Sequence, residues 1–297
     1  FYLPSKPLRL GEFLTNYCNI IPAIINIVLD YVFIFILKWG MFGAALATSL
    51  GYIVGAVMIL AYLFHPERIL HVCRVKLSKK SLYLTIRNVG YMCRLGFSSF
   101  LCETAIATMM FVGNYVFIRY LGEDGVAAYS IACYFFPIVF MVYNAIAQSA
   151  QPILSYNYGA KCTARVRETF RLALTTAILC GAGVFLLTWI FSHQIVGMFL
   201  DSSYPAYNIA VKGLPLFASG FVFFGINIVS IGYFQSLERD CPAMIITLLR
   251  GFALILLCFW ILPIIWESWG IWLAVPMSEL LTFLFVLVIY WLENRRN

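Results

Sequence analysis

Apolar residues fill this 297-residue chain in stretches of about 20, separated by short polar breaks. A helix of about 20 residues crosses the hydrocarbon core of a bilayer, so each stretch predicts a transmembrane helix. Eight are expected, at about 14–37, 43–64, 95–119, 125–150, 169–192, 207–235, 242–263 and 269–291. The predicted fold class is an all-α polytopic membrane protein of about eight transmembrane helices. The longest break, 65–93, is basic, and its Leu82, Ile86 and Val89 recur at helical spacing. That pattern predicts a short interfacial helix joining two membrane bundles.

Polar positions inside the apolar runs are the candidates for chemistry. In the third span, Ser99, Glu103, Met110 and Asn114 fall at i, i+4, i+11 and i+15, with Ala107 leaving a small gap between them. An ionisable side chain at bilayer depth costs at least ~2.5 kcal/mol and marks a functional site by default. Lipid cannot satisfy these groups, so they must face protein or a water-filled cavity. The alternative is that they only hold helices together. In the first span, Asn26 and Asp30 share a face, and Asp30 is either a second ion-binding acid or a packing partner. Glu279 is a third candidate. It follows Pro276 by three residues and could instead support a kinked helix. Arg250 lies near the cytoplasmic end of its span and is expected to reach the interface as an anchor.

The fourth span carries a second stripe, Pro137, Met141, Asn144, Gln148 and Gln151, at i, i+4, i+7, i+11 and i+14. Uncharged amides beside Met and aromatic residues suit an adaptable site for bulky ligands. Asn227 and Gln235 of the sixth span extend it. The expected substrate-cavity set is therefore Asn114, Met110, Met141, Asn144, Gln148, Asn227 and Gln235. Ordinary interhelical hydrogen bonds are the competing explanation for each.

Composition agrees with a membrane protein: 63% of residues are hydrophobic and 11% charged, against about 25% charged in soluble domains. The net charge of +7 reflects topology, not nucleic acid. With the N-terminal end inside, 16 of the 20 basic residues fall in cytoplasmic segments, which sets both chain ends inside. The nine cysteines are scattered without a CxxC, and the three histidines do not cluster, so neither a disulfide frame nor a metal site is expected. Nucleotide-binding and hydrolase motifs are absent. No catalytic residue is assigned and no enzyme is expected.

An internal repeat sets the domain plan. Trp39, Gly43, Leu46 and Ala47 read W-x3-G-x2-L-A, and Trp266, Gly270, Leu273 and Ala274 read the same. Both copies enter a helix from an outside turn, which implies parallel repeats. Residues 1–64 are then the last two helices of an N-terminal lobe, 65–93 a cytoplasmic linker, and 94–297 a complete six-helix C-terminal lobe. The chain begins with Phe in mid-element, so it is expected to be part of a longer protein with four more helices upstream, and not to transport by itself.

Several stretches together resemble the multidrug and toxic compound extrusion (MATE) family of secondary antiporters. Asn26-Ile27-Val28-Leu29-Asp30 with Gly43-Ala44-Ala45-Leu46-Ala47-Thr48 is similar to the family's fifth and sixth helices. Gly96-Phe97-Ser98-Ser99-Phe100 with Glu103 and Asn114 resembles the seventh. Gln151-Pro152-Ile153-Leu154-Ser155-Tyr156-Asn157-Tyr158-Gly159-Ala160, then Arg165-Val166-Arg167, resembles the loop after the eighth and is the most specific part. Gln235, Leu249-Arg250 and Gly270-Ile271-Trp272 with Glu279 resemble the last three helices.

The resemblance implies twelve helices in two lobes around a central cavity, and export of cationic organic compounds against inward proton or sodium flow. Asp30 matches the acidic position of the fifth helix and Glu103 that of the seventh. The sodium-coupled branch adds a carboxylate on its tenth helix. Here 207–235 has no Asp or Glu, a departure from that pattern. Proton and organic cation would compete for Glu103 while the lobes alternate access. The expected partners are cationic small molecules and the lipid bilayer, without nucleic acid or cofactor, in a full-length monomer of the cytoplasmic (inner) membrane. The alternatives are a flippase for a lipid-linked or polyanionic substrate, and a non-transporting scaffold or fragment. Acidic rather than basic mid-membrane charges weigh against the flippase.

Overall fold

A computed structural model describes residues 20–64 and 78–296. Among the described residues the chain is helical throughout, with no strand. The helices are α1 (Ile20–Ile36), α2 (Gly40–Leu63), α3 (Lys79–Gly159), α4 (Thr163–Ile190), α5 (Ser192–Gly197), α6 (Pro205–Ala218), α7 (Phe221–Ser236), α8 (Asp240–Leu248) and α9 (Leu254–Arg296). Two π-helical stretches are included, Tyr31–Ile36 closing α1 and Leu249–Ala253 joining α8 to α9. The all-α polytopic fold expected from the sequence is what the chain adopts.

Contacts divide the chain into two units, Phe1–Leu84 and Thr85–Asn297, and the division falls inside the predicted linker. In the first unit α1 and α2 form a hairpin. Its turn is held by a hydrogen bond from the Trp39 amide to the Phe33 carbonyl at 2.9 Å and by stacking of the two rings, centroids 5.3 Å apart. Residues 14–19 of the first predicted span, and 65–77 of the linker, lie outside the described residues. The rest of the linker does not form a separate interfacial helix. It is the start of α3 and runs into the third span without a break.

α3, most of which belongs to the second unit, has 81 residues, which as one rod would extend about 120 Å. Gly122 prevents that. Its φ of 67° and ψ of −158° reverse the chain, a conformation open to glycine because it has no Cβ. The two arms pack against each other: the Tyr129 hydroxyl donates to the Met109 carbonyl at 3.2 Å, and the Phe117 and Tyr129 rings stack at 4.3 Å. These arms are the third and fourth predicted spans. Glu267, at φ 47°, reverses α9 in the same way and separates the seventh span from the eighth.

The sixth span differs from its prediction. It is a broken helix, α6 and α7 meeting at 41° across residues 219–220. Pro215 removes a backbone donor from the last turn of α6. Gly220 lies so close to Pro276 of α9 that an added Cβ would stand 2.7 Å from the Pro276 Cα. The break is thus built where two helices touch through backbone. Around it sits an aromatic core, with Phe136 and Phe224 stacked at 4.7 Å and the Tyr143 hydroxyl donating to the Phe221 carbonyl at 2.8 Å.

Candidate functional site

A cleft of about 200 Å³ lies between the two arms of α3 and α7. The first arm supplies Cys102 and Glu103. The second supplies Phe140, Asn144, Ala147, Gln148 and Gln151, at i, i+4, i+7, i+8 and i+11, one continuous helical face. From α7 come Ile228, Ile231, Gly232 and Gln235. Gly232 permits the close approach of α7, since a Cβ there would meet the Ala147 Cβ at 3.0 Å. Two hydrogen bonds tie the same helices further along: Gln151 Nε2 donates to Gln235 Oε1 at 3.3 Å, and Ser155 Oγ donates to the Ser236 carbonyl at 3.2 Å. Asn144, Gln148, Gln151 and Gln235 also line a wider opening of about 540 Å³, with Gly96, Ser155 and Ser236.

The fold brings four residues of the predicted set, Glu103, Asn144, Gln148 and Gln235, to this cleft, and Gln151 with them. Glu103 is exposed there, and among the described residues it is the one acid lining the cleft. Met110, Asn114 and Met141 do not line it. Met110 packs against the hydrophobic core, Asn114 is exposed elsewhere, and Met141 is 69% exposed. Phe140 takes the place that the predicted stripe gave to Met141. The two are adjacent on the helix and so point about 100° apart.

Asn227 is fully buried and belongs to a second polar cluster. Its Nδ2 donates to Glu279 Oε2 at 2.8 Å and to the Glu279 carbonyl at 2.9 Å. Arg250 Nε donates to Glu279 Oε1 at 2.8 Å, and the guanidinium carbon lies 4.5 Å from the Phe224 ring centroid. Arg250 is therefore not the interfacial anchor expected from the sequence. It is 4% exposed, turned inward from the π-helical stretch Leu249–Ala253. A signal for the pair was present: the two opposite charges lie in consecutive antiparallel spans, on either side of the turn at Glu267.

In the first unit Asp30 is half-buried, and its Oδ1 is buried with no hydrogen-bond partner among the described residues. Asn26, one turn earlier, donates from Nδ2 to Thr48 Oγ1 at 3.4 Å. Asn26 and Thr48 line a groove of about 490 Å³ between α1 and α2. Asp30 is not among the residues lining it.

The model of the MatE family matches residues 99–260, more than half of the chain and the segment that builds the cleft. The chain is 20% identical over 273 residues to the multidrug export protein MepA of Staphylococcus saprophyticus, covering 92% of itself and 59% of that relative. Its fold is similar to that of a mutant of the Vibrio cholerae MATE transporter VcmN, with a TM-score of 0.81 at 19% identity, over 96% of this chain and 63% of the other. A multidrug resistance MATE family transporter of the MOP superfamily, in an outward-facing conformation, gives a TM-score of 0.78 at 21% identity, over 90% and 60%. This chain belongs to the MatE family and is a multi-pass membrane protein. It spans about three fifths of the length of these relatives.

Proposed function

We propose that the full-length protein is a secondary active antiporter that exports cationic organic compounds in exchange for protons or sodium by alternating access. The observation that carries this reading is Glu103, a carboxylate facing an amide-lined cleft within a membrane-spanning bundle. Family membership and the multidrug export relatives support it. One negative charge in such a cleft can hold either a coupling ion or a cationic substrate, and that competition links the two fluxes. Asp30 is a second candidate coupling group, because a bound proton or cation would neutralise its buried oxygen. Glu279 is already neutralised by Arg250 and is assigned a structural role. The cleft is lined by no Lys or Arg among the described residues, which weighs against an anionic substrate. The protein is placed in the cytoplasmic membrane with both chain ends inside, on the distribution of Lys and Arg.

The test is efflux of a fluorescent organic cation from energised cells carrying the full-length gene or its Glu103→Gln variant, with pH and sodium varied separately. Loss of efflux from a variant still present in the membrane is expected. The wild type's response to pH or to sodium then names the ion. Unchanged efflux would remove Glu103 from the mechanism.

A further inference from the structure

The lining of the cleft bears on which cations it takes, an inference that rests on the exporter reading above. Asn144, Gln148, Gln151 and Gln235 bring four amides to it, and Ser155 and Ser236 border the opening. An amide carbonyl accepts N–H hydrogen bonds. Gln151 uses Nε2 to reach Gln235, so its own carbonyl oxygen stays outside that bond. Aromatic surface is scarce: among the described residues Phe140 is the one aromatic lining the cleft, and none lines the wider opening. Met110 and Met141, which would have softened the site for greasy ligands, do not line it.

A cation without N–H groups would displace water from these amides and replace none of its hydrogen bonds, which lowers affinity. Quaternary ions are held instead by cages of aromatic faces, and no such cage is present among the lining residues. We propose that this cleft selects polar organic cations rich in N–H donors, of the guanidinium or primary ammonium class, over quaternary ammonium and phosphonium ions of equal charge. Glu103 supplies the counter-charge. The carbonyl oxygens of Asn144, Gln148 and Gln151 take the N–H groups, and Ile228 and Ile231 cover the apolar part of the ligand.

The test measures calorimetric binding of three monovalent probes to the purified full-length protein: benzylguanidinium, benzyltrimethylammonium and tetraphenylphosphonium. Benzylguanidinium is expected to bind at least about tenfold more tightly than benzyltrimethylammonium, the worth of one charge-assisted hydrogen bond. Gln148→Leu should reduce that preference, while Glu103→Gln should weaken both probes. Gln148 is exposed in the cleft, so its replacement leaves the packing intact. Equal or tighter binding of the trimethylated probe, or a preference unchanged in an Asn144→Leu/Gln148→Leu double variant, overturns the selectivity. Binding of the phosphonium alone overturns it while leaving the exporter reading in place. Binding of none of the three overturns both.

Discussion

Arg250 Nε donates to Glu279 Oε1 at 2.8 Å, and neither side chain is more than 4% exposed. The two charges cancel inside an apolar bundle, and Asn227 takes up the second carboxylate oxygen. Removing one partner leaves a buried charge uncompensated, which costs about 3–5 kcal/mol, whereas replacing both with apolar residues is often neutral. Arg250→Met and Glu279→Gln should each lower the thermal stability of the purified protein, and Arg250→Met/Glu279→Met should recover most of the loss. A double variant as unstable as the worse single one would show that the pair is not a self-contained unit.

Glu103 stands in contrast. Its side chain is exposed in the cleft, so Glu103→Gln should change stability by no more than about 0.5 kcal/mol, as is usual away from packed features. Export should nevertheless fall. Measuring the melting temperature and transport in the same preparation separates the two acids: one variant loses function without stability, the other loses stability first. A large drop in melting temperature for Glu103→Gln would recast this residue as part of the packing.

Two glycines of α4 make a matched pair. A Cβ at Gly181 would meet the Tyr143 hydroxyl and the Val222 Cα, both at 2.8 Å, while one at Gly183 would meet nothing within 4 Å. Val222 cannot yield easily, because the Tyr143 hydroxyl pins the neighbouring Phe221 carbonyl. Gly181→Ala should therefore destabilise by about 1–3 kcal/mol through overpacking. Gly183→Ala should stabilise by about 0.5–1 kcal/mol through the better helix propensity of alanine. Denaturation of the two variants side by side decides it, and equal effects would mean that α4 does not press on the α6–α7 break as described.

Orientation can be read from a cysteine. Cys162 is exposed in the short connection between α3 and α4, where basic residues Lys161, Arg165 and Arg167 gather. The positive-inside tendency puts this connection in the cytoplasm. In a variant keeping Cys162 as its one exposed cysteine, a membrane-impermeant maleimide should label inverted vesicles and spare intact cells. Labelling of intact cells would reverse the topology.

What the sequence alone determined is the part that depends on local composition. Among the described residues each of the apolar runs is helical once α3 and α9 are divided at Gly122 and Glu267, because the hydrophobicity of about 20 consecutive residues is enough to require a helix in lipid. The period of the polar positions likewise put Glu103 on one stripe of its helix and Asn144 and Gln148 on one stripe of theirs. Tertiary structure decided what depends on register between distant segments. It paired Arg250 with Glu279, 29 positions apart, because the reversal at Glu267 folds the two spans against each other. It gave Phe140, not Met141, to the cleft, because the azimuth of a helix is set by the helices it packs on and not by its own sequence. It also broke the sixth span at residues 219–220, where Pro276, more than 50 residues later, closes against Gly220. A polar stripe shows which side chains need partners, and only the packed bundle shows which partners they find.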